Sequence, residues 1–284
     1  MNTSPPRAEY LPIDKLRPFE GHPFQVKDDD EMDQLVFSVL TQGLLTPITV
    51  RATDTDEYEV ISGHRRLRAC QKAGIETVPA LIYSMDRDAA IIALVDSNLH
   101  REHLLPSEKA HAYKMKMDAM RHQGERTELT LGQNVPKFKR TTEAIAQGSG
   151  ESYKQVQRYI RLTELIPDLL EMVDSKKLNF TTAVDISYID KQVQGWLYEY
   201  ICDNGFIKPN QITELRKFIG QGNMTQPLMI SILNSTIQVK APSKKVTFNE
   251  KKLTKYFPAH YSSADMERVI VSLLEKWKED QEVS

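Results

Sequence analysis

From Glu31 onward the apolar residues Met32, Leu35, Val36, Val39 and Leu40 recur at helical spacing, and Gly43 follows as a stop signal. This pattern predicts one amphipathic helix. The acids Asp28 to Glu31 stand just before it, where they complement the positive end of the helix dipole. Two β-like runs come next, Pro47 to Arg51 and Glu57 to Ile61, with Ile48, Val50, Tyr58 and Val60 alternating with polar positions. The Thr-Asp-Thr-Asp between them reads as a hairpin loop. Gly63 then opens a helix through about Ala73, Gly74 closes it, and Val78 to Tyr83 supplies a third strand. Helices and strands thus alternate within residues 10–85, which predicts a small α/β domain.

Beyond Asp86 the pattern turns helical, with Ala89, Ile92 and Ala93 leading to a break at Pro106 and a second helix capped by Ser107 that runs to about Met120. Gly124 to Arg140 has little apolar periodicity and reads as a hinge. Helices dominate from there to about Ile219, polar segments follow at Gly220 to Gln226 and Ala241 to Lys245, and a last helix begins after Ser262 or Ser263. It places Met266, Val269, Ile270, Leu273, Leu274 and Trp277 on one stripe, which suits either pairing with a second copy or packing within the chain. The expected division is an α/β domain at 1–88, connecting helices at 89–123, a helix-turn-helix domain at 124–190 and a mainly helical region at 191–284.

Composition narrows the class. With 284 residues, 40% hydrophobic and 27% charged, the chain reads as a globular protein and not as a collagenous or disordered one. No apolar run approaches the roughly 20 residues of a bilayer span, and the first residues form no secretory signal, so a cytoplasmic protein without a membrane partner is expected. Two cysteines, Cys70 and Cys202, read as reduced thiols. The net charge of −2 conceals a basic middle: residues 101–161 hold 12 Lys+Arg against 7 Asp+Glu, whereas residues 1–100 hold 10 against 16. A local basic excess marks either a polyanion-binding module or a solvated helical face.

Three clusters carry candidate chemistry. Ser62-Gly63-His64-Arg65-Arg66-Leu67-Arg68 joins a strand end to a helix start, where backbone N–H groups, the helix dipole and arginine forks suit phosphate; a solvated basic face has the same composition. Asp96-Ser97-Asn98-Leu99-His100-Arg101 offers an amide for Mg²⁺ and a further arginine, each an ordinary surface residue by itself. His100 and His103 lack a third ligand at metal-binding spacing. In the third cluster a short helix with Ile145 and Ala146, a glycine turn and a helix capped by Ser152 form a helix-turn-helix pattern, with Val156 and Ile160 inward. Its second helix starts at Ser152 and Tyr153 and presents Lys154, Gln155, Gln157, Arg158 and Arg161, types that suit base edges and phosphates of double-stranded DNA. Ordinary helical hairpins share that apolar spacing.

In this order the clusters resemble the ParB family of DNA partition proteins, which includes nucleoid-occlusion factors. The similarity covers roughly residues 10–190. It starts with Leu11-Pro12-Ile13-Asp14-Lys15-Leu16, His22-Pro23-Phe24-Gln25 and Gly43-Leu44-Leu45-Thr46-Pro47-Ile48. Gly63-His64-Arg65-Arg66-Leu67-Arg68-Ala69 is similar to the family's Gly-Glu-Arg-Arg-x-Arg-Ala box, and Asn98-Leu99-His100-Arg101 to its Glu-Asn-Leu-x-Arg box. The resemblance implies a ParB/sulfiredoxin-like α/β domain that binds CTP with Mg²⁺, and a helix-turn-helix that binds a centromere-like site. It also implies a homodimeric clamp, gated by CTP, that is associated with a nucleoid or plasmid and served by a ParA-type ATPase. Gln25, Lys27, Gly63, His64, Arg65, Arg66 and Arg101 would line the nucleotide site, and Asn98 would help hold the metal.

The chain departs from this pattern at three informative places. His64 replaces the usual Glu, Ser97 replaces the Glu before Asn98, and Lys27 stands where the family has Arg. Without a carboxylate at Ser97, at most a slow CTP hydrolase is expected. The sulfiredoxin reading fails, because Gly63 occupies the position of its cysteine. The remaining alternative is a helix-turn-helix transcription regulator or nucleoid-occlusion factor whose α/β domain senses a ligand.

Overall fold

The β-patterned runs of the first 100 residues assemble into a five-stranded mixed sheet of order β1-β5-β3-β4-β2. Its strands are β1 (Arg7–Pro12), β2 (Leu16–Pro18), β3 (Ile48–Ala52), β4 (Tyr58–Ser62) and β5 (Thr77–Tyr83). A computed structural model describes residues 5–101, 103–128, 137–219, 224–237, 255–258 and 260–282. As the Thr-Asp loop implied, β3 and β4 are antiparallel neighbours, with Val50 opposite Val60. β3 pairs parallel to β5 and β2 parallel to β4, while β1 runs antiparallel along β5. The pairing brings Ser62, at the end of β4, to the mouth of the pocket described below.

α1 (Asp30–Gln42) and α2 (His64–Lys72) cover the sheet. Met32 and Val39 of α1 and Leu67, Ala69 and Cys70 of α2 pack with Ile48, Val50, Val60 and Val78 in one apolar core. Asp29 caps α1 by accepting from the Met32 N–H at 3.0 Å, and Gly43 ends it at φ +71°. A second core joins Phe19, Phe24 and Ile61 to α3 (Arg87–Asn98) and to Ala112 of α4 (Pro106–Glu128). The α/β domain followed by helices is the fold class expected from the pattern.

Two features differ from the sequence reading. β1 and β2 are edge strands with one buried side chain apiece, Leu11 and Leu16, so no period-two signal announces them. α4 continues to Glu128, past Gly124 and through polar residues without apolar periodicity. The expected hinge shortens accordingly, and residues 129–136 of it lie outside the described residues. The polar segments at 220–223 and 241–245 lie outside them as well.

α5 (Lys137–Ser149) and α6 (Tyr153–Leu162) flank a turn in which Gly150 has φ +70°. Ile145, Ala146 and Val156 of this pair are buried against Tyr113 and Met117 of α4. α7 (Pro167–Asp174), α8 (Phe180–Ile186), α9 (Lys191–Asn204), α10 (Pro209–Ile219) and α11 (Gln226–Ile237) share a larger core with Leu162. Two buried glutamines fasten it. Gln194 accepts from the Ile166 N–H and donates to the Ile189 carbonyl, and Gln211 donates to the Leu233 carbonyl. Residues 238–284 form a separate unit, in which α12 (Ser263–Glu282) leaves Val271, Leu273, Leu274 and Trp277 exposed.

Candidate functional site

Gly63 decides the geometry at the start of α2. It occupies the N-cap position at φ +102° and contributes no capping side chain, so the first N–H groups of the helix have no side-chain acceptor from the cap. A β-carbon there would stand 2.9 Å from Ile48 Cγ2 and 3.1 Å from an Arg66 nitrogen. Backbone and space therefore both require glycine. The helix start opens on a pocket of about 200 Å³ lined by His22, Val26, Ser62, Gly63, His64, Arg65, Arg66, Asn98 and Arg101. The first two sequence clusters thus meet in one place.

Two of the arginines in this pocket, Arg65 and Arg66, already have partners. Arg65 donates to Asp29 at 3.1 Å and to Glu31 at 3.2 Å. Arg66 donates to the carbonyl oxygens of Thr46 and Pro47 at 2.7 Å each, and burial lowers its pKa. Arg68 points elsewhere and pairs with Asp28 at 2.8 Å. The acids before α1 therefore cap the helix and also hold the basic helix beside it, and Arg65 keeps the Asp29 carboxyl below its usual pKa. Arg101 makes no salt bridge with the described residues.

The imidazoles are different. His22 and His64 lie with ring centroids 3.9 Å apart and their planes tilted by 49°, and the Nε2 of each is buried without a hydrogen-bond partner. Burial, followed by the neighbouring His22, lowers the pKa of His64 to about 3. Burial also lowers that of His22, against the pull of the Phe24 carbonyl. Both rings are neutral at physiological pH. His22 is the site residue that spacing did not find: it comes from the loop before α1 and reaches the pocket through tertiary packing.

Asn98 fits a role in metal binding through its amide oxygen. Its Nδ2 donates to the Leu94 carbonyl at 2.8 Å and to Ser97 Oγ at 3.1 Å, which leaves Oδ1 without a donor among the described residues. Ser97 Oγ donates to the Leu94 carbonyl at 2.9 Å and brings no charge. No cluster of three His, Cys, Asp or Glu occurs among the described residues, so a hard cation here would depend on Asn98 and on ligand oxygens. Gln25 and Lys27 do not line the pocket; both are exposed, and the Gln25 N–H donates to Glu108 at 2.8 Å.

The third cluster forms the expected helix-turn-helix. Ser152 Oγ accepts from the Gln155 N–H at 3.2 Å and caps α6, and Val156 and Leu162 are buried. Lys109 of α4 ties the turn by donating to Glu151 at 2.8 Å. On the outer side Lys154 is exposed and Gln155 half-buried. Gln157 donates to the Tyr153 hydroxyl at 2.6 Å, and Arg158 donates to Thr181 at 2.9 Å while lying over the Phe180 ring. Arg161 is held more firmly: it donates to the Ser187 carbonyl at 2.7 Å and lies 4.2 Å from the Tyr188 ring centroid.

Fold and site together define a two-module protein, an α/β domain whose glycine-opened helix start lines a pocket, joined to a helix-turn-helix. Residues 2–99 match the family described as the ParB N-terminal domain. The nucleoid occlusion protein of Listeria monocytogenes serotype 4b is 33% identical over 189 residues, which cover 66% of this chain and 60% of that protein. Two crystal structures of the C-terminally truncated chromosome-partitioning protein ParB from Caulobacter crescentus are also similar. The complex with the centromeric parS site is 28% identical, covering 74% of this chain and 99% of that one with a TM-score of 0.44. The complex with CTP-gamma-S is 29% identical, covering 69% and 99% with a TM-score of 0.32. Residues 2–99 carry the ParB N-terminal domain, and about two thirds of the chain is similar to proteins of this type. The chain spans about 60% of the length of the Listeria relative.

Proposed function

We propose that this chain is a DNA-binding partition protein of the ParB type, a homodimeric clamp gated by CTP and Mg²⁺ on a centromere-like site. The observation that carries this reading is the junction at Gly63. There a helix start without a side-chain cap, two imidazoles whose Nε2 atoms lack partners, Arg66 and Arg101 converge on one pocket. In this reading the N–H groups after Gly63 receive phosphate oxygens, and Arg65 exchanges Asp29 and Glu31 for phosphate. Asn98 Oδ1 helps hold Mg²⁺, which would neutralise phosphate charge. Gln25 and Lys27 complete the nucleotide-binding set from the rim, and His64 faces the phosphates. With Ser97 in place of a carboxylate, an attacking water lacks a base, so turnover is slow and the clamp reopens chiefly by nucleotide loss.

The α6 face reads double-stranded DNA. Gln155, Gln157 and Arg158 take base edges, while Ser152, Tyr153, Lys154 and Arg161 hold the backbone. Residues 1–88 bind nucleotide, 89–123 connect, 124–190 read DNA and 191–284 form the C-terminal region, where the exposed stripe of α12 pairs two copies. The protein acts in the cytoplasm on a nucleoid or plasmid, with a ParA-type ATPase as partner. Among the described residues no helix is long and apolar enough to cross a membrane. The similarity to the Listeria protein supports a second reading, nucleoid occlusion, through the same two modules. The test is retention on a closed DNA circle carrying a site selected from a random pool. CTP with Mg²⁺ should change retention, and indifference to CTP would favour a plain transcription regulator.

A further inference from the structure

The paired imidazoles are a feature of this chain that phosphate binding alone does not explain. His22 Nδ1 lies 2.7 Å from the Phe24 carbonyl oxygen and donates to it, so in the neutral ring Nε2 holds a bare lone pair. In His64 the Val60 carbonyl engages the ring, and Nε2 is again the nitrogen without a partner. Both rings line the pocket that is to receive phosphate, and each keeps a buried Nε2 lone pair without a donor. Phosphate oxygens are acceptors too, and neither neutral ring offers them a proton.

We propose that His22 joins His64 as a phosphate-binding residue and that the pair takes up one proton from solvent when nucleotide phosphate enters the pocket. The step balances simply: a solvent proton adds to one Nε2, and the resulting N–H donates to a phosphate oxygen. Rings this close do not both take an added proton, because the second positive charge would sit about as far from the first as the ring centroids, which are 3.9 Å apart. The surrounding charges set the balance. Arg101 opposes protonation of His22 and Glu108 of α4 favours it. Arg65 and Arg66 of α2 also line the pocket, with Arg65 offset by Asp29 and Glu31. Without a ligand, burial keeps the pair neutral; the phosphate charge reverses that preference.

This inference rests on the nucleotide reading, and one set of calorimetric titrations separates the two. CTP is titrated into the full chain with Mg²⁺ at one pH near neutrality, in buffers of different ionisation enthalpy. The same series is run on His64→Gln and on His22→Asn, which keeps a donor for the Phe24 carbonyl. The variants also account for protons carried by CTP itself. Wild type should take up more protons than either variant, approaching one, and its affinity should rise by up to about tenfold more per unit of falling pH. Binding with no uptake, or with the same uptake in all three proteins, overturns the proton coupling alone. No CTP binding to wild type overturns the nucleotide reading and this inference with it.

Discussion

Arg65 and Asp29 are joined at 3.1 Å across two helices, so the arginine best placed for phosphate is already held by the residue that caps α1. A nucleotide must compete with that carboxylate. Asp29→Asn keeps a good capping residue but removes the competing charge, and it should tighten CTP binding in calorimetry. Glu31→Gln should do less, because Glu31 is 81% exposed. Unchanged affinity in Asp29→Asn would show that Arg65 does not exchange partners.

Gly63→Ala should weaken both fold and site. The backbone at φ +102° and the 2.9 Å approach to Ile48 predict a loss of about 1–3 kcal/mol in denaturant unfolding. CTP binding should fall with it. A variant as stable as wild type would contradict the geometry at this turn.

His64 makes a specific contribution to acid sensitivity. Its folded pKa of about 3 lies below the ordinary imidazole value of 6.5, so the folded state binds fewer protons than the unfolded state between these values. The stability tied to a neutral His64 is therefore complete above about pH 6.5 and is lost as pH falls toward 3, by at most about 1.4 kcal/mol per pH unit. His22 acts in the same direction. Thermal unfolding between pH 7 and pH 4 should show a shallower decline for His64→Gln than for wild type; parallel curves would place the acid sensitivity elsewhere.

The α6 face separates reading from holding. Gln157→Ala and Arg158→Ala should each relax sequence choice, at about 1–3 kcal/mol per lost base contact. Lys154→Ala should weaken all sites alike and reduce the salt dependence by about one phosphate. Binding profiles over a randomised duplex measure both, and unchanged profiles for Gln157→Ala and Arg158→Ala would assign base reading to another element.

Much of this architecture was legible because it is local. The Asp-rich start and Gly43 bracket α1, the alternation of Ile48, Val50, Tyr58 and Val60 marks the hairpin, and Ser152 marks the start of α6. The edge strands were not, since β1 and β2 each bury one side chain and take their conformation from neighbours distant in sequence. At the site, the basic helix start and Asn98 were visible as motifs, but the partners of Arg65 and Arg66 were not, because a sequence does not show which carboxylate or carbonyl a guanidinium meets. His22 was invisible as a site residue for the same reason: only the packing of its loop against α2 brings the two imidazoles together.

The most direct measurement is a calorimetric titration of CTP, with Mg²⁺, into wild type and Arg65→Ala. Saturable binding to wild type that ATP does not reproduce, together with its loss in Arg65→Ala, is the expected result. Equal CTP affinity in the two proteins would remove Arg65 from the site, and no CTP binding to wild type would contradict the nucleotide-gated clamp itself.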